Sequence, residues 1–200
     1  QHQAHRERNR FPIKLGIQTD YLPSREKVTA RMLKTVHFDY IIGSVHLIDG
    51  WAFDNSKYLS EYRKWDTTKL YEVYFGLIQK LARSRLFDIV GHLDLIKKFG
   101  YKPETDITDV LLNTVKVLKE CEVCIEVNTG GLRAPCREVY PARSLLKMCF
   151  DQTIPITLGS DAHQPKDVGQ DFEKALKLIR EVGYENITRF TNRKTKQVKI

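Results

Sequence analysis

Residues 38–46 read Phe-Asp-Tyr-Ile-Ile-Gly-Ser-Val-His. The pattern returns at 87–92 as Phe-Asp-Ile-Val-Gly-His and at 154–163 as Ile-Pro-Ile-Thr-Leu-Gly-Ser-Asp-Ala-His. Each is a short apolar run followed by a glycine and then a histidine. Runs this short, rich in β-branched side chains, suit buried strands. Glycine permits a bend or a close backbone approach where the strand ends. Working outward, further runs of the same character stand at 13–17, 123–127 and 187–190, so the candidate strands are 13–17, 40–45, 86–90, 123–127, 154–158 and 187–190.

Helical patterns fill the intervals. Ser24 offers an N-cap before Arg25-Glu26-Lys27. Asp66 precedes Leu70, Val73, Tyr74, Leu77, Ile78 and Leu81, an apolar stripe with helical period. Asp106 precedes Val110, Leu111, Val115 and Leu118, and residues 142–150 and 171–182 complete the set, with Gly183 placed to end the last helix. This βα alternation predicts an α/β fold with a parallel sheet of about six strands covered by helices. Six strands are too few for the common eight-stranded barrel. No glycine-rich nucleotide-binding motif follows any strand.

Composition excludes several classes. The chain has 200 residues, 42% hydrophobic and 29% charged, which is neither collagenous nor disordered in character. No uncharged apolar run approaches the roughly 20 residues that span a bilayer. Four cysteines are too few for a disulfide scaffold, and the opening QHQAHRERNR carries no apolar signal, so a cytoplasmic setting is expected. Residues 1–10 read as a polar, basic tail. The net charge of +8 points to an anionic partner, a nucleic acid or a small phosphorylated molecule, or to a basic solvated surface.

The chemistry gathers at one end of the strands. His46, His92 and His163 all follow strand-like runs, and in parallel α/β folds the C-terminal strand ends converge on one mouth. Asp161 and Asp94 lie two residues from a histidine, while Glu126 stands near the end of the 123–127 run and Asn128 follows it. Imidazole with carboxylate is a donor mix for Zn, Mn or Fe. Arg133, after the glycine-rich segment 128–132, is either a phosphate contact or a surface cation; Lys97, Lys98 and Arg137 are weaker candidates. Cys121 and Cys124 have metal-knuckle spacing without a second pair and are read as core. His2, His5 and His37 are read as non-functional, and no Gly-x-Ser-x-Gly elbow is present.

Taken together, residues 16–21 (GIQTDY), 38–46 (FDYIIGSVH), 51–54 (WAFD), 87–100 (FDIVGHLDLIKKFG), 126–133 (EVNTGGLR), 159–163 (GSDAH) and the closing 186–194 (NITRFTNRK) resemble histidinol-phosphate phosphatases of the PHP (polymerase and histidinol phosphatase) superfamily. The resemblance runs from about residue 11 to residue 200. It implies a distorted (β/α)7 barrel with up to three divalent metals at its mouth. It also implies hydrolysis of L-histidinol phosphate, in histidine biosynthesis, by a metal-bridged hydroxide. Carried over, His46, His92, Asp161, His163 and Gln18 (Glu in the family) are the metal positions and Arg133 the phosphate contact. Asp161 or His163 serves the leaving group, and Glu126, Asn128 and Asp94 are supporting. The family opens with strands bearing His-x-His and Thr-(Asp/Glu)-His, neither of which stands here. Residues 11–200 are therefore expected to form one PHP-type domain lacking its first one or two βα units and holding fewer metals. Competing readings are an impaired PHP relic or anion-binding module, and a PHP phosphoesterase for another phosphate ester. A membrane partner is not expected, and a nucleic acid is disfavoured against a small phosphorylated substrate.

Overall fold

The structure, a computed structural model, describes residues 13–200; the expected tail, with His2 and His5, lies outside the described residues. Five parallel strands form the central sheet in the order β1 (Gly16–Asp20), β2 (Tyr40–Ser44), β5 (Ile89–Val90), β6 (Cys124–Asn128), β7 (Ile156–Gly159). Between β2 and β5, a short antiparallel pair, β3 (Leu47–Ile48) and β4 (Trp51–Ala52), projects beyond the sheet.

The sequence expectation of an α/β parallel sheet holds, with two corrections. The first strand lies three residues later than the 13–17 run, because Gly16 through Asp20 register against Tyr40 through Ser44. Its polar end, Gln18-Thr19-Asp20, does not look strand-like alone. The run at 187–190 is not a sixth parallel strand. It lies in β8 (Asn186–Thr191), which pairs antiparallel with β9 (Lys194–Lys199). The two-residue loop places Asn192 at φ 49° and Arg193 at φ 62°, the left-handed conformations of a hairpin turn without glycine. Asn192 and Arg193 donate their backbone N–H groups to Asp39, and the Arg193 guanidinium grips Asp88 at 2.9–3.0 Å. These bonds fasten the hairpin under the sheet.

The helices are α1 (Glu26–Leu33), α2 (Thr67–Arg83), α3 (Thr108–Glu120), α4 (Arg143–Asp151) and α5 (Phe172–Val182). Asp66 caps α2 as its sequence predicts, accepting from the Lys69 N–H at 2.7 Å. The stripe is rotated slightly, so Tyr71, Phe75 and Ala82 are buried while Val73 and Leu77 are half-buried. Ser24 is no cap: Pro23–Arg25 form a 3-10 turn and α1 starts after it. Asp106 accepts from Thr108, two residues on, one residue earlier than a cap of α3 would stand. Gly183 ends α5 at φ 121°. No helix of the described residues is long and apolar enough to cross a membrane.

Alternation along the strands gives the sheet two different faces. Ile41, Val90, Ile125 and Val127 join the main core with α2 and α3 residues such as Leu70, Ile78, Val115 and Leu118. On the opposite face, Ile89 and Cys124 pack with Phe190 of the hairpin against Tyr40 and Ile42. Farther along the same face the residues turn polar: Gln18, Ser44, Glu126 and Asn128. This inner face is therefore sealed at its lower end and chemical at its upper end. A cavity of ≈ 310 Å³ remains between the two, lined by Ile89, Glu126, Gly159 and Phe190 among others.

Candidate functional site

The upper strand ends open into a cavity of ≈ 550 Å³. Gln18, Thr19 and Asp20 reach it from β1, His46 from just beyond β2, and His92 from just beyond β5. Asp161 and His163 reach it from beyond β7, with Gly130 and Tyr140 from the β6 side. His92 and Asp161 hold positive φ values of 23° and 49°, so both strand ends turn sharply into the mouth.

Two imidazoles meet at its floor. His46 Nε2 lies 3.1 Å from His92 Nε2, and Gln18 Nε2 lies 3.2 Å from the same His92 atom. Behind the pair, Asp20 binds His46 Nδ1. A carboxylate on the far nitrogen of an imidazole fixes its orientation and raises its basicity, as in metal sites. Burial depresses the His92 pKa to about 3, assisted by the neighbouring His46, so His92 is neutral at physiological pH. Burial also acts downward on His46, but the bond to Asp20 and its charge outweigh it and raise the pKa. His92 Nδ1 is buried with no partner among the described residues.

A second layer steadies this floor. The buried carboxylate of Glu126 accepts the His92 backbone N–H at 3.0 Å and the Asn128 side-chain amide at 2.9 Å. Asn128 Oδ1 in turn accepts the Gly130 N–H at 2.7 Å. Burial raises the Glu126 pKa, with Asn128 and His92 opposing. Through these bonds β6 fixes the backbone on both sides of the mouth.

The remaining sequence candidates are placed unevenly. His163 sits at the rim with its side chain 82% exposed, and its Nδ1 lies 2.9 Å from the Asp161 carbonyl. Arg133 Nη2 donates to the carbonyls of Ser160 and Asp161, while Nη1 is buried without a partner among the described residues. Asp94 does not line the cavity. It is buried beneath, accepts the Ala142 N–H at 2.8 Å and pairs with Lys97 at 3.0 Å. Sequence reasoning gave no role to Asp20 or Asp54, although both line the cavity. Asp20 carried a usable signal: it is two residues after Gln18, hence on the same face of β1.

The donors present suit a divalent cation at the two-histidine corner. Their nitrogens converge, one is held by a carboxylate, and the amide of Gln18 adds a third donor group. Among the described residues, no group of three or more His, Cys, Asp or Glu side chains comes together to hold an ion. Replacing Asp20 by asparagine is expected to weaken divalent-ion affinity by about 10–100-fold with the fold intact, measured by zinc titration.

The sequence profile of the PHP domain matches residues 2–130. A Deinococcus radiodurans protein named "Probable histidinol-phosphatase" is 41% identical over 185 residues, covering 92% of this chain and 70% of that protein. The chain belongs to the PHP family. A Schizosaccharomyces pombe relative, also named "Probable histidinol-phosphatase", is 24% identical over 187 residues, and the PHP chain here spans 61% of its length. The crystal structure of a Lactococcus lactis histidinol phosphate phosphatase complexed with zinc, L-histidinol and phosphate superposes with a TM-score of 0.82. That match covers 98% of this chain and 76% of the other at 20% identity, so the PHP fold is shared.

Proposed function

We propose that this PHP chain is a metal-dependent phosphomonoesterase that hydrolyses L-histidinol phosphate to L-histidinol and phosphate, a cytoplasmic step of histidine biosynthesis. The observation that carries the reading is the His46–His92 nitrogen pair, backed by Asp20, at the floor of the strand-end cavity. Kinship to proteins named histidinol-phosphatase supports the substrate. His46, His92 and Gln18 would hold a divalent ion, Zn, Mn or Fe. Such an ion, when bound, acidifies a coordinated water and offsets phosphoryl charge.

The chain's own groups divide the remaining work. Asp20 keeps the His46 Nε2 lone pair aimed inward. The unpartnered Nη1 of Arg133 is the donor offered to a phosphate oxygen, a charge-assisted bond that would relieve a buried unsatisfied group. Asp161 or His163, at the rim, delivers a proton to the departing alkoxide oxygen. Glu126 and Asn128 hold the backbone that carries His92 and Gly130.

The test is phosphate release from L-histidinol phosphate by the purified chain supplied with each metal, before and after chelation. Release that requires the metal supports the reading; a folded chain that releases none contradicts it. Gln18 specifically favours a second reading, an anion-binding module with little activity, since a neutral amide brings no charge where the resemblance implies Glu. Gln18→Glu separates the two. In an assembled metal site it is expected to tighten divalent-ion binding by about tenfold, the scale of one added charged contact. In a binding module, metal titration should not change.

A further inference from the structure

The two histidines of the corner are held differently. His46 has Asp20 on its Nδ1, whereas His92 Nδ1 is buried with no partner among the described residues. A metal-binding imidazole ordinarily has its orientation fixed through its second nitrogen. For His92, packing takes the place of that bond. The Tyr140 ring meets the imidazole edge-on, with centroids 6.4 Å apart at 75°, and the His46 ring lies 4.9 Å away.

Tyr140 is itself held from several directions. Its backbone exchanges N–H···O bonds with Asn128 at 2.7 and 3.0 Å, which ties it to the end of β6. A Cβ on Gly131 would fall 3.0 Å from the ring, so the ring is confined there. Lys97 Nζ stands 5.4 Å from the ring centroid. Lys97 does not line the cavity. Its side chain is 10% exposed, and its ammonium lies 3.0 Å from both Asp94 Oδ2 and Glu138 Oε2 and donates to the Val139 carbonyl at 2.9 Å. A buried ammonium stays with its partners, because losing one leaves charge uncompensated. Asp94 Oδ2 also accepts the Ala142 N–H at 2.8 Å. The Asp94–Lys97 pair thus fastens residues 138–142 at both ends onto the turn that follows His92, with Tyr140 in the middle. Tyr74 of α2 fixes that turn in its own right, donating to the Leu93 carbonyl and accepting the Leu95 N–H, both at 3.2 Å.

We propose that Tyr140 is a positioning residue for His92, and that the buried Asp94–Lys97 pair acts on the metal corner through it. The assignment rests on the metal-dependent reading above and adds to it the support of the second histidine. The role belongs to the ring of Tyr140 and not to its hydroxyl, which meets Cys136 Sγ at 3.6 Å. Lys97 reaches neither histidine; it sets where the ring stands.

The experiment is calorimetric zinc titration of the full chain as wild type, Tyr140→Phe, Tyr140→Leu, Lys97→Gln and the double variant of the last two. Tyr140→Leu is expected to weaken zinc binding about tenfold or more, the scale of a lost outer support, and Tyr140→Phe to leave it unchanged. Lys97→Gln is expected to weaken zinc binding in the wild type and to add nothing in the Tyr140→Leu background, because it acts through that ring. A merely structural pair would lower the unfolding temperature without this pattern. Where Lys97→Gln fails to fold by circular dichroism, Glu138→Gln replaces it, since that carboxylate is 53% exposed. Zinc affinity unchanged in Tyr140→Leu, or weakened equally in Tyr140→Phe, overturns the proposal. A Lys97→Gln effect that is absent, or that persists in full in the double variant, overturns the part of the ion pair. A wild type that takes up no zinc removes the metal corner and this role with it. Phosphate release from L-histidinol phosphate is scored separately. The expected zinc pattern without turnover removes the phosphatase reading alone, whereas turnover with zinc affinity indifferent to Tyr140 removes this role alone.

Discussion

Replacing His92 by alanine is expected to lower the kcat/KM for L-histidinol phosphate about a thousandfold or more, with divalent-ion binding lost in parallel. The imidazole stands 3.1 Å from His46 Nε2 and 3.2 Å from the Gln18 amide, so its removal leaves the corner with one nitrogen donor. A bound metal supplies several kcal/mol of charge stabilisation in such reactions, and each 1.36 kcal/mol is a factor of ten in rate. Stability should respond differently. His92 is buried and its pKa is depressed to about 3, chiefly by burial. Below about pH 6.5 the unfolded chain takes up a proton that the folded chain refuses, so this group costs stability progressively as pH falls toward 3. The alanine variant should therefore lose activity at pH 7 while its metal-free form loses part of that acid sensitivity. Steady-state phosphate release, zinc titration and urea unfolding at pH 7 and pH 5 check the three statements. A variant that keeps both turnover and zinc affinity would remove His92 from the site.

Gly159→Ala is expected to cripple the protein from a position that touches no substrate. A Cβ built there falls 1.8 Å from Glu126 Oε1 and 2.6 Å from its Cδ. The carboxylate cannot simply swing away, because Oε2 is bound by the His92 N–H and by Asn128. Either β7 shifts or Glu126 releases His92. Overpacking of this kind costs about 1–3 kcal/mol, and leaving the His92 N–H buried without its acceptor costs about 1–3 kcal/mol more. Urea unfolding should show a loss of a few kcal/mol, and kcat should fall by tenfold or more even at temperatures where the variant is folded. A Glu126→Ala background should relieve the steric part of the effect. If Gly159→Ala is neutral for both stability and kcat, the packing of β6 against β7 described above is wrong.

Much of this arrangement was legible in the sequence because its signals are local. The β-branched runs before His46, His92 and His163 marked strand ends, and parallel α/β topology brings such ends to one mouth. Glu126 and Asn128 were found because they stand where the 123–127 run ends, at the mouth end of a strand. What escaped has physical reasons. β9, Lys194–Lys199, is almost wholly polar, since it covers the edge of a hairpin rather than a core, and Asn192-Arg193 turns without glycine. Gln18-Thr19-Asp20 does not look like a strand because β1 ends in functional side chains. Asp54 and Lys98 lie 44 residues apart in connecting segments, and no local pattern announces that they meet. Asp94 stood beside a histidine in sequence, yet the chain turns there and sends it down to Lys97 and Ala142.

In the proposed phosphomonoesterase, the His46–His92 corner is the metal centre. Anomalous diffraction at the zinc edge, from crystals of the chain grown with zinc and inorganic phosphate, tests it most directly. The expected result is an anomalous peak bonded to Nε2 of both histidines, with phosphate density within reach of Arg133. Fully occupied zinc elsewhere in the cavity, with neither histidine nitrogen among its ligands, would contradict it.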